Sequence, residues 1–519
     1  MTAATGTAVQ FQTPPASSAV TRAAARLLRV ELRRNAMPWI LPLIAALFWF
    51  DSYLPSTRTA PLYGLRTFGN MGQGHTIVDF GPFVAGVAAW MGSRDGRRGL
   101  ADLITATARP RWAAQLAIWA ATAIWAVAAY LLFVGVMFAM YARQGVAGTP
   151  PWWWVAVGAT AVTAFSAAGF AVGAYWPSRF AAPVAAFGGF LALAMSSQIG
   201  FHKYASGWAL ILPTNSNGNF DGNAQADSGI FYPWLPDLPI ARIMFLAGIA
   251  VAALALTGLP TRAGGQWLRR AAAVLILAGV ASAGTAVGLA STARLSVHGI
   301  VIAALHDAAN DAPITYTPVC GHAAGVPVCL NPTYRRWLPD ATAALAPVLA
   351  EVDGLPGAPV RANQVATAYP SGEGGPPQAI TLGGHPPVLR MSLGLLNTPE
   401  PCGFCAHGST YGLAATSGPV ATKQFIDQMR LLFAHAFVGA GNGAGSPVQQ
   451  AVQAALLQGA GMPFATQPGL TATKNGPGPG AVYAAARRLA ALPAAAQHAW
   501  LAAHLAALRA GRLTLTDLP

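Results

Sequence analysis

Apolar residues in this chain gather into runs of membrane length, separated by short polar passages, before the pattern changes near residue 292. Seven runs stand out, at about 36–54, 74–92, 113–141, 151–175, 181–200, 238–258 and 271–291. A bilayer core about 30 Å thick needs roughly 20 apolar residues of helix. The backbone there has no water to bond to, so it satisfies itself within helices. The first half of the chain therefore reads as an all-α polytopic membrane bundle. Ahead of it, Arg22, Arg26, Arg29 and Arg33 recur at helical spacing on one face, with Ala24, Leu27, Leu28 and Leu32 mostly elsewhere. That pattern predicts an amphipathic helix seated among lipid headgroups; the plainer alternative is a basic flank that only sets orientation. Residues 1–16 are small and polar and read as a disordered start.

Residues 292–519 contain no run of membrane length. Helical periodicity returns at Asp340–Val352, Thr422–Ala440, Pro447–Gly459 and Ala481–Ala510, and Gln378–Leu382 and Val388–Ser392 alternate as strands do. A soluble mixed α/β domain is expected, punctuated by Pro- and Gly-rich stretches.

Composition agrees. The chain is 54% hydrophobic and 9% charged, against about 25% charged in soluble domains. The net charge of +14 would suit a nucleic-acid partner, but its distribution argues against one. Residues 1–291 hold 19 Lys and Arg against 8 Asp and Glu, while the rest holds 12 against 9. With the N-terminus inside, fourteen basic residues fall on the cytoplasmic side and about five outside, the bias expected of a membrane protein. Seven spans then send the C-terminal domain outward. All four cysteines, Cys320, Cys329, Cys402 and Cys405, lie in that domain. An even number in an oxidising compartment suggests disulfides; Cys320–Cys329 and Cys402–Cys405 suggest themselves, although four cysteines allow three arrangements. With His322 and His407 nearby, a zinc site is the competing reading.

Between the second and third runs lies the densest charge in the chain: Arg94, Asp95, Arg97, Arg98 and Gly99, then Leu100, Asp102, Leu103 and Ile104, with Thr107, Arg109, Pro110 and Arg111 beyond. Leu100, Leu103 and Ile104 keep helical spacing, and Pro110 ends the segment. A short helix along the membrane surface is expected. A basic loop that merely fixes topology is the bland alternative.

This passage resembles the first intracellular loop of ABC transporter permeases of the type-2 exporter family. Asp95, Gly99, Asp102-Leu103-Ile104, and Thr107 with Pro110 stand where that family has an acid, a glycine, an acidic-Leu-Leu-like triplet and a Ser/Thr-x-Pro-like turn. Thr107 is farther from Pro110 than the pattern requires. The resemblance covers about the first 260 residues. It implies a start and interfacial helix at 1–35, a six-span permease domain at 36–260, and coupling to a separate ATPase subunit through Asp95, Arg97, Arg98, Gly99, Leu100, Asp102, Leu103 and Ile104. A second permease subunit, identical or different, would complete the path. The seventh helix at 261–291 and the extracytoplasmic domain at 292–519 depart from the usual six spans.

Nothing in the chain matches the phosphate-binding pattern G-x-x-x-x-G-K-S/T, so ATP-Mg is expected in the partner and no cofactor in this chain. Asp51 and Asp79 lie near the outer ends of the first two spans, where acids facing interfacial water are commoner than ion sites. Trp90 and Trp152–Trp154 read as interfacial aromatics. The helix ending at His435 also resembles a gluzincin peptidase helix that has lost its zinc motif, since Leu431 and Leu432 replace the first His and the Glu; an ordinary core helix carrying one His is the favoured alternative, and catalysis is not expected there. Two rival functions stay open: a membrane-anchored extracytoplasmic enzyme, and a degenerate peptidase-like sensor or assembly protein without transport.

Overall fold

The computed structural model describes residues 17–54, 75–99, 111–143, 150–202, 210–212, 230–259, 266–296, 299–366, 380–393, 419–439, 445–467 and 478–519. The chain is mostly helical, with a small mixed sheet in the C-terminal region.

The first part consists of α1 (Ser17–Arg34), α2 (Met37–Phe48, continued by a π-helical turn Trp49–Tyr53), α3 (His75–Gly92), the single turn α4 (Arg94–Arg97), α5 (Arg111–Arg143), α6 (Trp152–Tyr175), α7 (Ala181–His202), α8 (Asp237–Gly258) and α9 (Gln266–Ser291). Among the described residues, four stretches are long and apolar enough to cross a membrane: Trp112–Met140, Trp152–Tyr175, Asp237–Gly258 and Gln266–Ser291. Met37–Phe48, Phe80–Gly92 and Ala181–Met195 are shorter apolar helices. At 1.5 Å per residue α5 is about 50 Å long, more than a bilayer core needs.

In lipid, helices of this composition would gain little from hydrophobic exclusion, because lipid is as apolar as leucine; close packing and hydrogen bonds between helices would have to hold them. Both are present. A Cβ on Gly169 or Gly173 of α6 would sit 2.1 or 2.0 Å from the carbonyl oxygens of Ala85 and Ala89 on α3. Gly248 of α8 and Gly279 of α9 approach each other as closely, with 2.5 Å between each would-be Cβ and the other's carbonyl. Between helices, the Trp119 indole donates to Ser166 Oγ at 3.0 Å, Tyr130 to the Val155 carbonyl at 3.3 Å and Ser282 to the Met244 carbonyl at 3.0 Å.

The bundle has two distinct ends. One gathers the C-terminal turn of α1, the 92–99 passage, Tyr175 to Pro177, and the α8 end, where the Tyr175 hydroxyl donates to Leu256 O at 2.6 Å. The other carries the C-terminal domain, whose core is continuous with Phe48, Met137, Met140, Ile230 and Phe231.

After a short hairpin, β1 (Arg294–Ser296) with β2 (Gly299–Val301), the domain is built on a five-stranded sheet. Its strands are β3 (Val319–Ala323), β4 (Val326–Leu330), β5 (Arg361–Gln364), β6 (Ile380–Gly383) and β7 (Val388–Met391), in the order β3-β4-β5-β7-β6. β4, β5 and β7 are parallel and the edge strands antiparallel. Helix α10 (Leu338–Val352) connects β4 to β5 and buries Ala341, Ala344, Leu345, Val348, Leu349 and Val352, the i, i+3, i+4 stripe of a helix lying on a core. Helices α11 (Pro419–Phe437), α12 (Pro447–Gly459), α13 (Pro479–Ala491) and α14 (Ala494–Arg509) complete it.

Two sequence expectations change here. The helix expected over Ala481–Ala510 is two helices, broken at Leu492–Pro493 because a proline inside a helix removes a hydrogen bond and clashes with the preceding turn. The hairpin β3–β4 was not expected from the alternation. Cys320 and Cys329 pair across it and are joined as a disulfide. Cys402 and Cys405 lie outside the described residues.

Candidate functional site

The passage singled out by charge begins directly after α3. Ser93 is fully buried and donates to the Trp90 carbonyl at 3.1 Å. The turn α4 then folds back. Gly96 lies so close to Pro177, after α6, that a Cβ would meet the proline Cβ at 2.4 Å. Gly99 ends the turn at φ +64°, a conformation that glycine adopts without strain.

Each charged group of the turn has a distinct position. Arg94 places two guanidinium nitrogens against the two carboxylate oxygens of Glu31, at 2.9 and 3.0 Å, with Asp95 at 3.5 Å from its Nε. Burial works against the charged form of Arg94, but the Glu31 hydrogen bonds and charge outweigh it, and its pKa is raised. Arg97 lies 3.5 Å above the Trp90 ring and donates to the Trp90 carbonyl at 2.9 Å; burial and then the Arg98 charge lower its pKa. Asp95 is half-buried, whereas Arg98 and Gly99 are exposed. Of the residues proposed as ATPase contacts, Asp95, Arg97, Arg98 and Gly99 are thus together on one turn. Leu100, Asp102, Leu103 and Ile104 lie outside the described residues.

The sequence reading missed Glu31 and Arg94 as partners. Glu31 is the one acid in the first fifty residues, set in a helix otherwise rich in exposed arginine, and that isolation was the available signal. It is only 8% exposed. Helix α1 is held in turn by α5: Asn35 Nδ2 donates to Thr122 Oγ1 at 2.9 Å, and the Trp125 indole to the Leu32 carbonyl at 3.0 Å. Arg22, Arg26, Arg29 and Arg33 of α1 are exposed on one face.

At the opposite end, a second polar cluster joins the bundle to the C-terminal domain. Asp237, the first residue of α8, is completely buried. Its Oδ2 accepts from the Ile302 amide at 2.9 Å and stands 3.1 Å from His306 Nδ1, and His306 Nε2 is 3.1 Å from Asp311 Oδ2. One turn further along α8, Arg242 is buried, donates through Nε to the Leu210 carbonyl at 2.6 Å and faces the Trp154 ring at 5.2 Å.

Asp51 and Asp79 fall within the π-helical turn and α3 respectively; their side chains lie outside what is described. His435 of α11 is 3.3 Å from Gln453. Among the described residues no three His, Cys, Asp or Glu side chains converge as metal ligands would. No family model, curated protein or solved structure matches the chain.

Proposed function

We propose that this chain is the membrane-spanning subunit of an ATP-driven exporter, coupled through the 94–104 passage to a separate ATPase subunit that binds ATP-Mg. On this reading seven helices span the cell membrane, the N-terminus is cytoplasmic and the C-terminal domain lies outside. Two such subunits, identical or different, enclose the path within membrane lipid.

The observation that carries the reading is the anchoring of the 94–99 turn. A segment that receives a push must pass it on, and this turn is tied to α1 by Arg94–Glu31, packed against Pro177 behind α6, and continuous with α3. Helix α1 passes the load to α5 through Asn35 and Leu32. Displacement of the turn thus bears on four helices at once, which a loop that only fixes topology has no need to do. Exposed Arg98 and Gly99 form the described part of the face presented to a partner.

The test is co-purification. The full chain should retain an ATPase subunit expressed beside it, and Asp102→Ala or Leu103→Asp should release that subunit while leaving the membrane protein folded. Failure of any ATPase subunit to associate, together with unchanged behaviour of both variants, would overturn the proposal.

A further inference from the structure

His306 has a carboxylate oxygen 3.1 Å from each of its ring nitrogens, Asp237 on one side and Asp311 on the other. A neutral imidazole carries a single N–H, so it can donate to only one of them and must turn a lone pair toward the other. The imidazolium donates to both. A charged histidine satisfies both contacts, with two charge-assisted hydrogen bonds that a neutral histidine between two carboxylates cannot make together.

These bonds hold a specific joint. Asp237 opens helix α8 of the bundle, while His306 and Asp311 belong to the stretch leading into the C-terminal domain. The same stretch inserts Ile302, fully buried, against Ile211, Ala241, Ala286 and Ala290. Further along, the Ile314 amide donates to the Phe231 carbonyl at 2.8 Å. Asp237 Oδ1 is buried without a hydrogen-bond partner, so the charge of this carboxylate is compensated from the Oδ2 side, by the Ile302 amide and His306. Removing the His306 proton leaves a buried carboxylate facing a ring that can no longer donate to both acids.

We propose that Asp237, His306 and Asp311 form a protonation-dependent latch that fastens the first segment of the C-terminal domain to the membrane bundle. Among the described residues, Arg242, on the same helix as Asp237, donates to Leu210 O and faces the Trp154 ring, and Asp307 accepts from the Ala309 amide at 2.9 Å. Helix α9 brings the apolar Ala286 and Ala290 to this place, while Tyr232, on the 230–236 stretch, packs against the core of the C-terminal domain. The Asp311 hydrogen bond is the largest influence on His306 and raises its pKa above the ordinary 6.5; burial opposes it, and the Asp237 charge adds to the rise. Because the folded pKa is the higher one, the stabilisation is fully present below pH 6.5 and is lost as pH rises through the raised value. The latch does not rest on the exporter reading. If the domain is the outer one, the latch senses the pH outside the cell.

The experiment is hydrogen exchange on the full chain in lipid nanodiscs, from about pH 5.5 to about pH 9, corrected for intrinsic exchange. Amides of 302–311 should be protected at the acid end and lose about tenfold or more of that protection toward the alkaline end, the scale of a charged hydrogen bond. Helix α10 serves as the internal reference. In His306→Gln protection should be low and independent of pH. Asp311→Asn, at a side chain 38% exposed, should keep the fold and move the transition to lower pH. Flat protection in the unaltered protein, an unchanged pH profile in His306→Gln, or an unmoved transition in Asp311→Asn would each overturn the latch. Should His306→Gln also unprotect α10, Asp311→Asn decides alone.

Discussion

Arg94 and Glu31 meet as fork and carboxylate, through two hydrogen bonds of 2.9 and 3.0 Å, across 63 positions of sequence. Arg94 is 18% exposed and Glu31 10% exposed by side chain, so the pair is shielded from water without being dry. Bidentate pairing of this kind fixes direction as well as distance. It makes the turn after α3 and the helix before α2 one mechanical piece.

The first prediction concerns that pair. Glu31→Gln leaves the guanidinium half-buried against a neutral amide, and breaking such a pair from one side costs more than the pair contributes. A loss of about 1–3 kcal/mol is expected, given partial solvent screening. Arg94→Lys should recover only part of the native stability, because an ammonium cannot engage both oxygens in the fork geometry. Thermal unfolding in detergent, with amide exchange over 94–99, measures both. If Glu31→Gln melts with the parent protein and the turn stays as protected, the pair does not anchor it.

Much of the bundle was legible in the linear pattern, and the reason is physical. A run such as 151–175, long and apolar enough to span a bilayer, would have to be helical there to satisfy its own backbone, and the helix found is Trp152–Tyr175. Ser446 with Gln449 marks the start of α12 by a capping box, which agrees with the expected Pro447–Gly459. What could not be read is pairing across distance. Nothing local tells Glu31 that its partner is Arg94, or Asp237 that its partner is His306. Hairpin β3–β4 was obscured for another reason. Gly321 and Pro327 interrupt its alternation, and a Cβ on Gly321 would crowd Thr342 at 3.1 Å, so its packing against α10, not strand propensity, selects the residue. Pro493 is a helix-breaking residue in the sequence, and the single helix expected over Ala481–Ala510 ran through it.

The α3–α6 contact gives a prediction with a built-in control. Gly173→Ala would put a methyl 2.0 Å from the Ala89 carbonyl oxygen, which is backbone and cannot step aside. The helices must separate, at a cost of about 1–3 kcal/mol typical of overpacking. Gly188→Ala, also in a helix, meets nothing within 4 Å and should be neutral or stabilising by up to about 1 kcal/mol. Equal melting temperatures for the two variants would refute the close approach.

Glu351, at the end of α10, yields a prediction with the same pH sign as the histidine latch, in a lower pH window. Its carboxylate oxygens lie 2.8 Å from where a Cβ on Gly459 would be, and burial raises its pKa above the ordinary 4.5. An acid with a raised folded pKa binds its proton more tightly when folded. Its contribution therefore falls as pH rises from 4.5 through the raised value, and at neutral pH the charge opposes folding. Glu351→Gln should stabilise the protein at neutral pH by less than about 1 kcal/mol, the group being half-buried, and flatten the acid limb of the stability curve. Urea titrations at about pH 4.5 and about pH 7 compare the two. A destabilised Gln variant at neutral pH would show that the ionised carboxylate is a favourable interaction after all.

The disulfide supplies the last prediction. Cys320 and Cys329 face each other in the register of β3 and β4, which turn back through Ala324 at φ 49° and Gly325 at φ 80°. Counted outward from that two-residue turn, the pair occupies a position where the ladder hydrogen bonds point away and the side chains stand closest. Closing a loop with a sequence separation of 9 removes unfolded-state entropy equivalent to about 2–3 kcal/mol at most, and less where the hairpin forms in the denatured chain anyway. Cys329 is buried against β5, where Arg361 Nη2 stands 3.5 Å from its sulfur. Loss of the bond thus loosens an inner strand as well as the exposed edge. Replacing both cysteines by serine should lower the melting temperature of the C-terminal domain by roughly 4–8 °C. The unfolding of α5 and α6, followed by exchange in nanodiscs, should be unchanged. In a background with Cys402 and Cys405 already replaced by serine, a reductant should reproduce the effect and add nothing once Cys320 and Cys329 are replaced as well. Equal melting of the reduced and oxidised chain would mean that the β3–β4 pairing is held by the sheet and α10 alone.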